Sequence, residues 1–304
     1  MSQPARPVHR AVPHSRRWLM ARALAILAAA PLAALSLPAM ASAGTGASYV
    51  ALGDSYTSGP LIPDQTGEPA GCLRSNHNYP ALTAAAIGAA SLTDVSCSGA
   101  TTADMASPQS VTLGTNPPQL DALTSATSLV TLQIGGNDIG FISIVIHCTT
   151  LSLTSPFGSP CKNYYTSGGT DRLAQGIDQT APKVAAVLQA IHQRAPRARV
   201  LVVGYPVILP NTGHGCWPAV PIAYGDVPYL RGVEQELNQM LATEAANHDA
   251  SYVDTYTPSI GHDVCQPEGV RWVEGLAPQS PAAPMHPNEL GEQGMARAVT
   301  AAVG

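Results

Sequence analysis

The sequence predicts an α/β layer fold with a mainly parallel sheet. Strand-like runs alternate with helix-like runs along the chain, as they do when helices cross between parallel strands. The interval 171–194 carries apolar residues at Leu173, Ile177, Val184, Val187, Leu188 and Ile191, a spacing that lays one helix face on a sheet. Three short polar motifs fall just beyond strand-like runs, where ligands of such folds collect.

Taken in order, β-branched and apolar runs predict strands over 48–52, 92–96, 129–134, 200–203 and 252–253. Helices are predicted over 80–87, 117–123, 171–194, 227–247 and 288–303. Pro182 falls inside the 171–194 run and predicts a kink or a restart there. Between 139 and 170 the periodicity gives way to an apolar stretch and then a Gly/Ser/Pro-rich insertion. The stretch 204–225 is similarly rich in Pro and Gly. No internal repeat and no long linker divides residues 44–304, so one domain is expected there.

Residues 1–43 read as an export signal, with five arginines, no acidic residue and an apolar run from Ala21 to about Leu37. Ala41-Ser42-Ala43 reads as the cleavage site before Gly44. Arg16-Arg17 fits a twin-arginine signal and equally an arginine-rich general secretory one. Cleavage leaves ten basic against twenty acidic residues, with no basic stripe, which argues against nucleic acid as a partner. No later stretch reaches about eighteen unbroken apolar residues, so no integral membrane segment is expected in the mature chain.

All six cysteines lie after the leader, and an even number in an exported chain predicts three disulfides. Sequence alone leaves their pairing open. A competing arrangement gives His214, Cys216, His262 and Cys265 to zinc, but an oxidising compartment disfavours it, and no metal is expected.

The chemistry begins at Ser55, in Gly53-Asp54-Ser55 at the end of the first strand run. A serine hydroxyl becomes a nucleophile only when a base takes its proton and the chain holds its oxygen out. Gly53 lets the backbone bend, while Ser58 and Gly59 allow a substrate close approach. Further blocks follow as Cys97-Ser98-Gly99-Ala100, Gly135-Gly136-Asn137-Asp138 and Met285-His286-Pro287-Asn288.

Serine, glycine, asparagine and histidine in that order resemble the SGNH subset of GDSL hydrolases, from about residue 48 to the C-terminus. The resemblance implies a single-domain, flavodoxin-like three-layer sandwich around a central, mainly parallel five-stranded sheet. It implies Ser55 as nucleophile, His286 as base, and an oxyanion hole from the Ser55 and Gly99 N–H groups and the Asn137 amide. Gly99 suits that role because a residue without Cβ lets its N–H come close. His286 stands between Pro284 and Pro287 on a stiffened loop. Asp54 and Asp138 read as local hydrogen-bond anchors of their turns. Sequential disulfides Cys72–Cys97, Cys148–Cys161 and Cys216–Cys265, which close the shortest loops, are the pattern of similar actinobacterial members.

One departure stands out. Many members carry an aspartate three residues before the histidine, where this chain has Ala283. Some similar members use a main-chain carbonyl instead, working as a Ser–His dyad. Here that implies the carbonyl of Ala283 or Pro284, with Glu274 or Asp263 folding back as the alternative.

The resemblance thus implies a secreted serine ester hydrolase, a lipase or esterase acting on small-molecule or lipid esters, without cofactor and as a monomer. The apolar stretch Ile139, Phe141, Ile142, Ile144, Val145 and Ile146 either lines a pocket for medium or long acyl chains or forms a core helix. A short-chain or carbohydrate acetyl esterase, a phospholipase and a non-catalytic binding module on the same scaffold are the competing readings.

Overall fold

The computed structural model describes residues 46–304, so the expected export signal lies outside the described residues. Its strands are β1 (Ser48–Gly53), β2 (Ser91–Asp94), β3 (Gln109–Val111), β4 (Gly114–Asn116), β5 (Leu129–Gln133), β6 (Arg199–Val203) and β7 (Ser251–Val253). Five of them form one sheet in the order β2-β1-β5-β6-β7, with every neighbouring pair parallel. The order reverses beside β1, and the crevice beyond the carboxyl ends of β1 and β5 is therefore the expected ligand position.

Successive side chains of a strand point to opposite faces, and this chain uses both. Val50, Leu52, Val130, Leu132, Val200 and Val202 join one apolar cluster. Tyr49, Ala51, Leu129, Leu201, Val203 and Val253 join another. The first is covered by α5 (Arg172–Arg194) and α6 (Val227–Asn247), through Leu173, Ile177, Val184, Leu188, Leu237 and Leu241. The second is covered by α2 (Tyr79–Ile87) and α7 (Glu289–Val303), through Tyr79, Ile87, Met295, Val299 and Val303. Each such aliphatic side chain contributes about 1.5–3 kcal/mol when fully buried. Asn78, Asp171 and Asn288 cap α2, α5 and α7 by accepting first-turn N–H groups.

The remaining helices are α1 (Ser55–Ser58), α3 (Phe141–Ser152) and α4 (Pro160–Tyr165). The last two replace the irregular insertion expected over 139–170. Consecutive β-branched residues hid α3, whose inner face Ile144, Val145 and Cys148 is buried against the core. The helix expected over 117–123 is a single 3-10 turn, Gln119–Ala122, hemmed in by Pro117 and Pro118. Pro182 does not break α5, because burial of Ile177 and Val184 on either side offsets the lost hydrogen bond. Strand β2 ends at Asp94 rather than 96, where the Asp94 carboxylate accepts from the N–H and hydroxyl of Ser96 and turns the chain. The β3–β4 hairpin was not expected.

Disulfides join Cys72 to Cys97, Cys148 to Cys161 and Cys216 to Cys265. Two of them staple the stretches 139–170 and 204–225, where strands are absent.

Candidate active site

Strand β1 delivers Ser55 to the crevice through a turn that tolerates only glycine at position 53. A Cβ there would lie 2.1 Å from Thr57 Oγ1 and 2.9 Å from the Gln133 carbonyl. Gln119 fastens the same residue, accepting from the Gly53 N–H at 2.8 Å and donating to its carbonyl at 2.9 Å. Ser55 begins α1 and is 8 % exposed, enough for its hydroxyl to reach the crevice.

His286 arrives from the opposite end of the chain. Its Nε2 lies 2.8 Å from Ser55 Oγ, and its Nδ1 lies 2.8 Å from the Pro284 carbonyl. A carbonyl only accepts, so Nδ1 carries the ring proton and Nε2 is left to accept from the serine hydroxyl. Burial of the ring lowers the His286 pKa, and the Pro284 hydrogen bond opposes only part of that shift. The imidazole is therefore neutral near pH 7, the form a base requires.

Of the two carbonyls expected to orient the ring, Pro284 makes the contact. The Ala283 carbonyl instead accepts the His286 backbone N–H at 3.2 Å. Neither Glu274 nor Asp263 folds back. Glu274 takes bonds from Asn288 and the Gln279 N–H and faces Arg271, and Asp263 caps the turn at Cys265.

The loop carrying His286 is bound on all sides. Tyr56, next to the nucleophile, donates its hydroxyl to the Met285 carbonyl at 2.7 Å. The Glu274 N–H donates to the His286 carbonyl at 2.9 Å, and the Ala283 N–H to the Pro60 carbonyl at 2.9 Å. Met285 sits at φ 61°, a left-handed conformation that costs a residue with a Cβ about 1–2 kcal/mol. These contacts hold it there, directly before the base.

Gly99 and Asn137 follow the neighbouring strands β2 and β5, and Asn137 lines the same pocket as Ser55. The N–H groups of Ser55 and Gly99 have no protein acceptor among the described residues, and Gly99 takes φ 78°. One Asn137 amide hydrogen goes to the Ala100 carbonyl at 2.9 Å, which fixes the amide plane and leaves the second hydrogen free.

Asp54 and Asp138 reach further than their own turns. Asp138 accepts from the Thr102 N–H at 2.9 Å and hydroxyl at 2.5 Å, tying the asparagine block to the glycine block. Asp54 accepts locally from the Tyr56 N–H, but its other oxygen accepts from the Tyr205 hydroxyl at 2.6 Å. The same hydroxyl accepts from the Gly136 N–H at 2.9 Å, so Tyr205 couples the serine turn to the asparagine turn. Burial raises the Asp54 pKa to about 7 against the pull of these hydrogen bonds. Tyr205, Tyr56 and Gln119 carry no motif, so sequence reasoning had no signal for them. Their partners lie 151, 229 and 66 residues away.

The site opens into an apolar pocket. Ile139, Phe141, Ile144, Val145, Ile208 and Leu237 are among its walls, and it encloses about 780 Å³ free of protein atoms, mouth included. Of the 139–146 stretch, Ile139, Phe141, Ile144 and Val145 line this pocket, with Ile144 and Val145 also in the apolar core, whereas Ile142 and Ile146 face outward. Glu234 is the odd group in that wall. Burial raises its pKa well above the ordinary carboxyl value, opposed by the Ile208 N–H at 3.2 Å.

The four residues of the competing zinc arrangement have other partners. Cys216 and Cys265 are joined, His214 stacks on Tyr224, and His262 stacks on Trp272 with Nδ1 at the Val270 carbonyl. Among the described residues no cluster of three or more His, Cys, Asp or Glu is arranged to hold a metal ion.

The chain is 43 % identical over 251 residues to Lipase 2 of Streptomyces coelicolor, covering 82 % of this chain and 83 % of that one. It is 32 % identical over 266 residues to a lipase of Streptomyces rimosus, covering 86 % and 89 %. Among solved structures, phospholipase A1 from Streptomyces albidoflavus superposes with a TM-score of 0.69 at 29 % identity, over 85 % of this chain and 99 % of that one. The extracellular lipase of Streptomyces rimosus gives 0.66 at 30 % identity, over 84 % and 98 %. The model of the GDSL-like lipase/acylhydrolase family matches residues 51–293, from the strand that presents Ser55 to the helix that follows His286. The chain belongs to that family of ester hydrolases.

Proposed function

We propose that this protein is a secreted esterase that cleaves medium- or long-chain acyl esters through an acyl-enzyme on Ser55. The observation that carries the reading is the Ser55–His286 contact at 2.8 Å opening directly onto the apolar pocket. Ser55 Oγ attacks the ester carbonyl carbon while its proton passes to His286 Nε2. The carbonyl oxygen, now negative, is met by the Ser55 and Gly99 N–H groups and the free Asn137 amide hydrogen. Collapse expels the alcohol, which takes the proton back from Nε2. Water then repeats the sequence and frees the acid. The Pro284 carbonyl keeps the ring in the required tautomer, but as a neutral group it stabilises the imidazolium less than a carboxylate would.

Export is supported by the arginine-rich, apolar leader with its Ala-Ser-Ala end, by three disulfides and by the likeness to an extracellular lipase. A phospholipid substrate is the second reading, favoured by the likeness to a phospholipase A1. The same acyl pocket serves both.

The test is hydrolysis of p-nitrophenyl esters over a series of acyl lengths by the mature protein, beside Ser55→Ala. The proposal expects turnover to peak at medium or long chains and to vanish in the variant. A profile confined to acetate would move the assignment to a deacetylase. No turnover on any ester would favour a binding module.

A further inference from the structure

We infer that the outer face of α3 and the loop after it dock the enzyme on the surface of aggregated, uncharged or zwitterionic lipid. The inference rests on the lipid-ester reading above. At about 100° per residue, Ile142, Ile146 and the C-cap residue Leu153 fall on one stripe, on the far side of the helix from the buried Ile144 and Cys148. Ile146 is 60 % exposed, Leu153 64 % and Phe157, in the loop beyond, 76 %. Single exposed apolar residues are ordinary, but four in one short stretch form a patch.

The patch cannot fold away. The Cys148–Cys161 disulfide staples the helix to α4. The Tyr224 and Gly225 N–H groups donate to the Pro156 and Gly158 carbonyls at 2.9 Å, and the Phe157 ring meets Tyr224 edge-on at 5.2 Å. Water-exposed apolar groups are thus held in place by covalent and hydrogen-bonded supports.

Charge and position identify the occupant. From Ile139 to Cys161 there is no Asp, Glu, Lys or Arg, although the expected mature chain holds twenty acidic residues. Such a chain is repelled by anionic lipid, whereas a charge-free apolar stripe suits a neutral interface. The buried side of the same helix lines the apolar pocket through Ile144 and Val145. A lipid surface seated on the stripe therefore adjoins the pocket that receives its acyl chains.

The test uses the mature protein carrying Ser55→Ala and phosphatidylcholine vesicles, with binding read by sedimentation. Binding is expected at low and high salt alike, and adding Ile146→Ser with Phe157→Ser should weaken it by about tenfold or more. In the active enzyme the same pair should leave kcat/KM on soluble p-nitrophenyl butyrate unchanged and lower turnover of micellar long-chain esters by about tenfold. No vesicle binding, binding indifferent to the substitutions, binding confined to anionic vesicles at low salt, or a solution dimer dispersed by the substitutions would each overturn the inference. Vesicle binding by an enzyme that cleaves only short esters would leave docking standing and remove the long-chain reading instead.

Discussion

Replacing Tyr205 with phenylalanine removes one oxygen that serves two blocks of the site. Asp54 loses a charge-assisted bond of 2.6 Å, worth about 1.5–3 kcal/mol. The Gly136 N–H loses its acceptor at 2.9 Å, and a buried donor left unpaired costs about 1–3 kcal/mol. The two overlap at one atom, so a net loss of about 3–4 kcal/mol is expected. At about 2–4 °C per kcal/mol for a domain near this size, the melting temperature should fall by roughly 10 °C. The loss should be greater at pH 8 than at pH 5, because a protonated Asp54 asks less of the hydroxyl. Gly136 directly precedes Asn137, so kcat should fall by roughly 10–100-fold with little change in KM, less than removal of an oxyanion donor itself would cause. Thermal denaturation at the two pH values and steady-state kinetics on one soluble ester read all three effects. A variant that melts within about 2 °C of the parent and keeps its kcat would refute the coupling argument.

Other expectations are as definite. The acid limb of kcat/KM should lie below the ordinary imidazole pKa of 6.5, since burial lowers the His286 value and only the neutral ring accepts the serine proton. Gly53→Ala should destabilise by more than about 3 kcal/mol or prevent folding, given backbone and Thr57 atoms where its Cβ would go, whereas Gly140→Ala, with open space but φ 80°, should cost only about 1–2 kcal/mol by urea denaturation. Asp54, Glu234 and Glu292 all have raised pKa values in the fold, so the native state holds more protons than the unfolded chain above their ordinary range. Stability should therefore fall as pH rises from about 5 to about 8, and Glu234→Gln should flatten that slope. Replacing both Cys148 and Cys161 with serine reopens a loop of separation 13 and should cost about 3 kcal/mol, read by the same denaturation.

Much of the architecture was legible because it rests on local pattern. The alternating runs, and above all the face from Leu173 to Ile191, marked a sheet with helices laid on it. The strand ends at Gly53, Gln133 and Val203 fell within a residue of the expected positions, since a glycine or polar residue follows each apolar run. The insertion was legible only in part: a core helix was one reading of its apolar stretch, but not the helix's extent to Ser152 or the second helix α4. Ile142, Ile144, Val145 and Ile146 read as strand formers one by one, and only the buried pocket wall and the Cys148–Cys161 staple make them a helix.

The site divides in the same way. Ser55, Gly99, Asn137 and His286 were visible because they sit in short blocks with turn chemistry; His286 lies 2.8 Å from Ser55, and Asn137 lines the same pocket as Ser55. Their supports were not visible. Tyr205, Tyr56 and Gln119 act through single long-range hydrogen bonds, which leave no trace in a linear pattern. The choice of Pro284 over Ala283 as ring acceptor likewise depends on the loop's path, with Met285 turned to φ 61°.

The central claim is that Ser55 is activated by His286 and faces an acyl pocket. Covalent labelling with a long-chain alkylphosphonate ester, followed by peptide mass spectrometry, tests it most directly. The account predicts rapid, stoichiometric modification at Ser55, none in Ser55→Ala, and labelling slowed by orders of magnitude in His286→Ala. Modification at another residue, or labelling of Ser55 at an unchanged rate without His286, would contradict it.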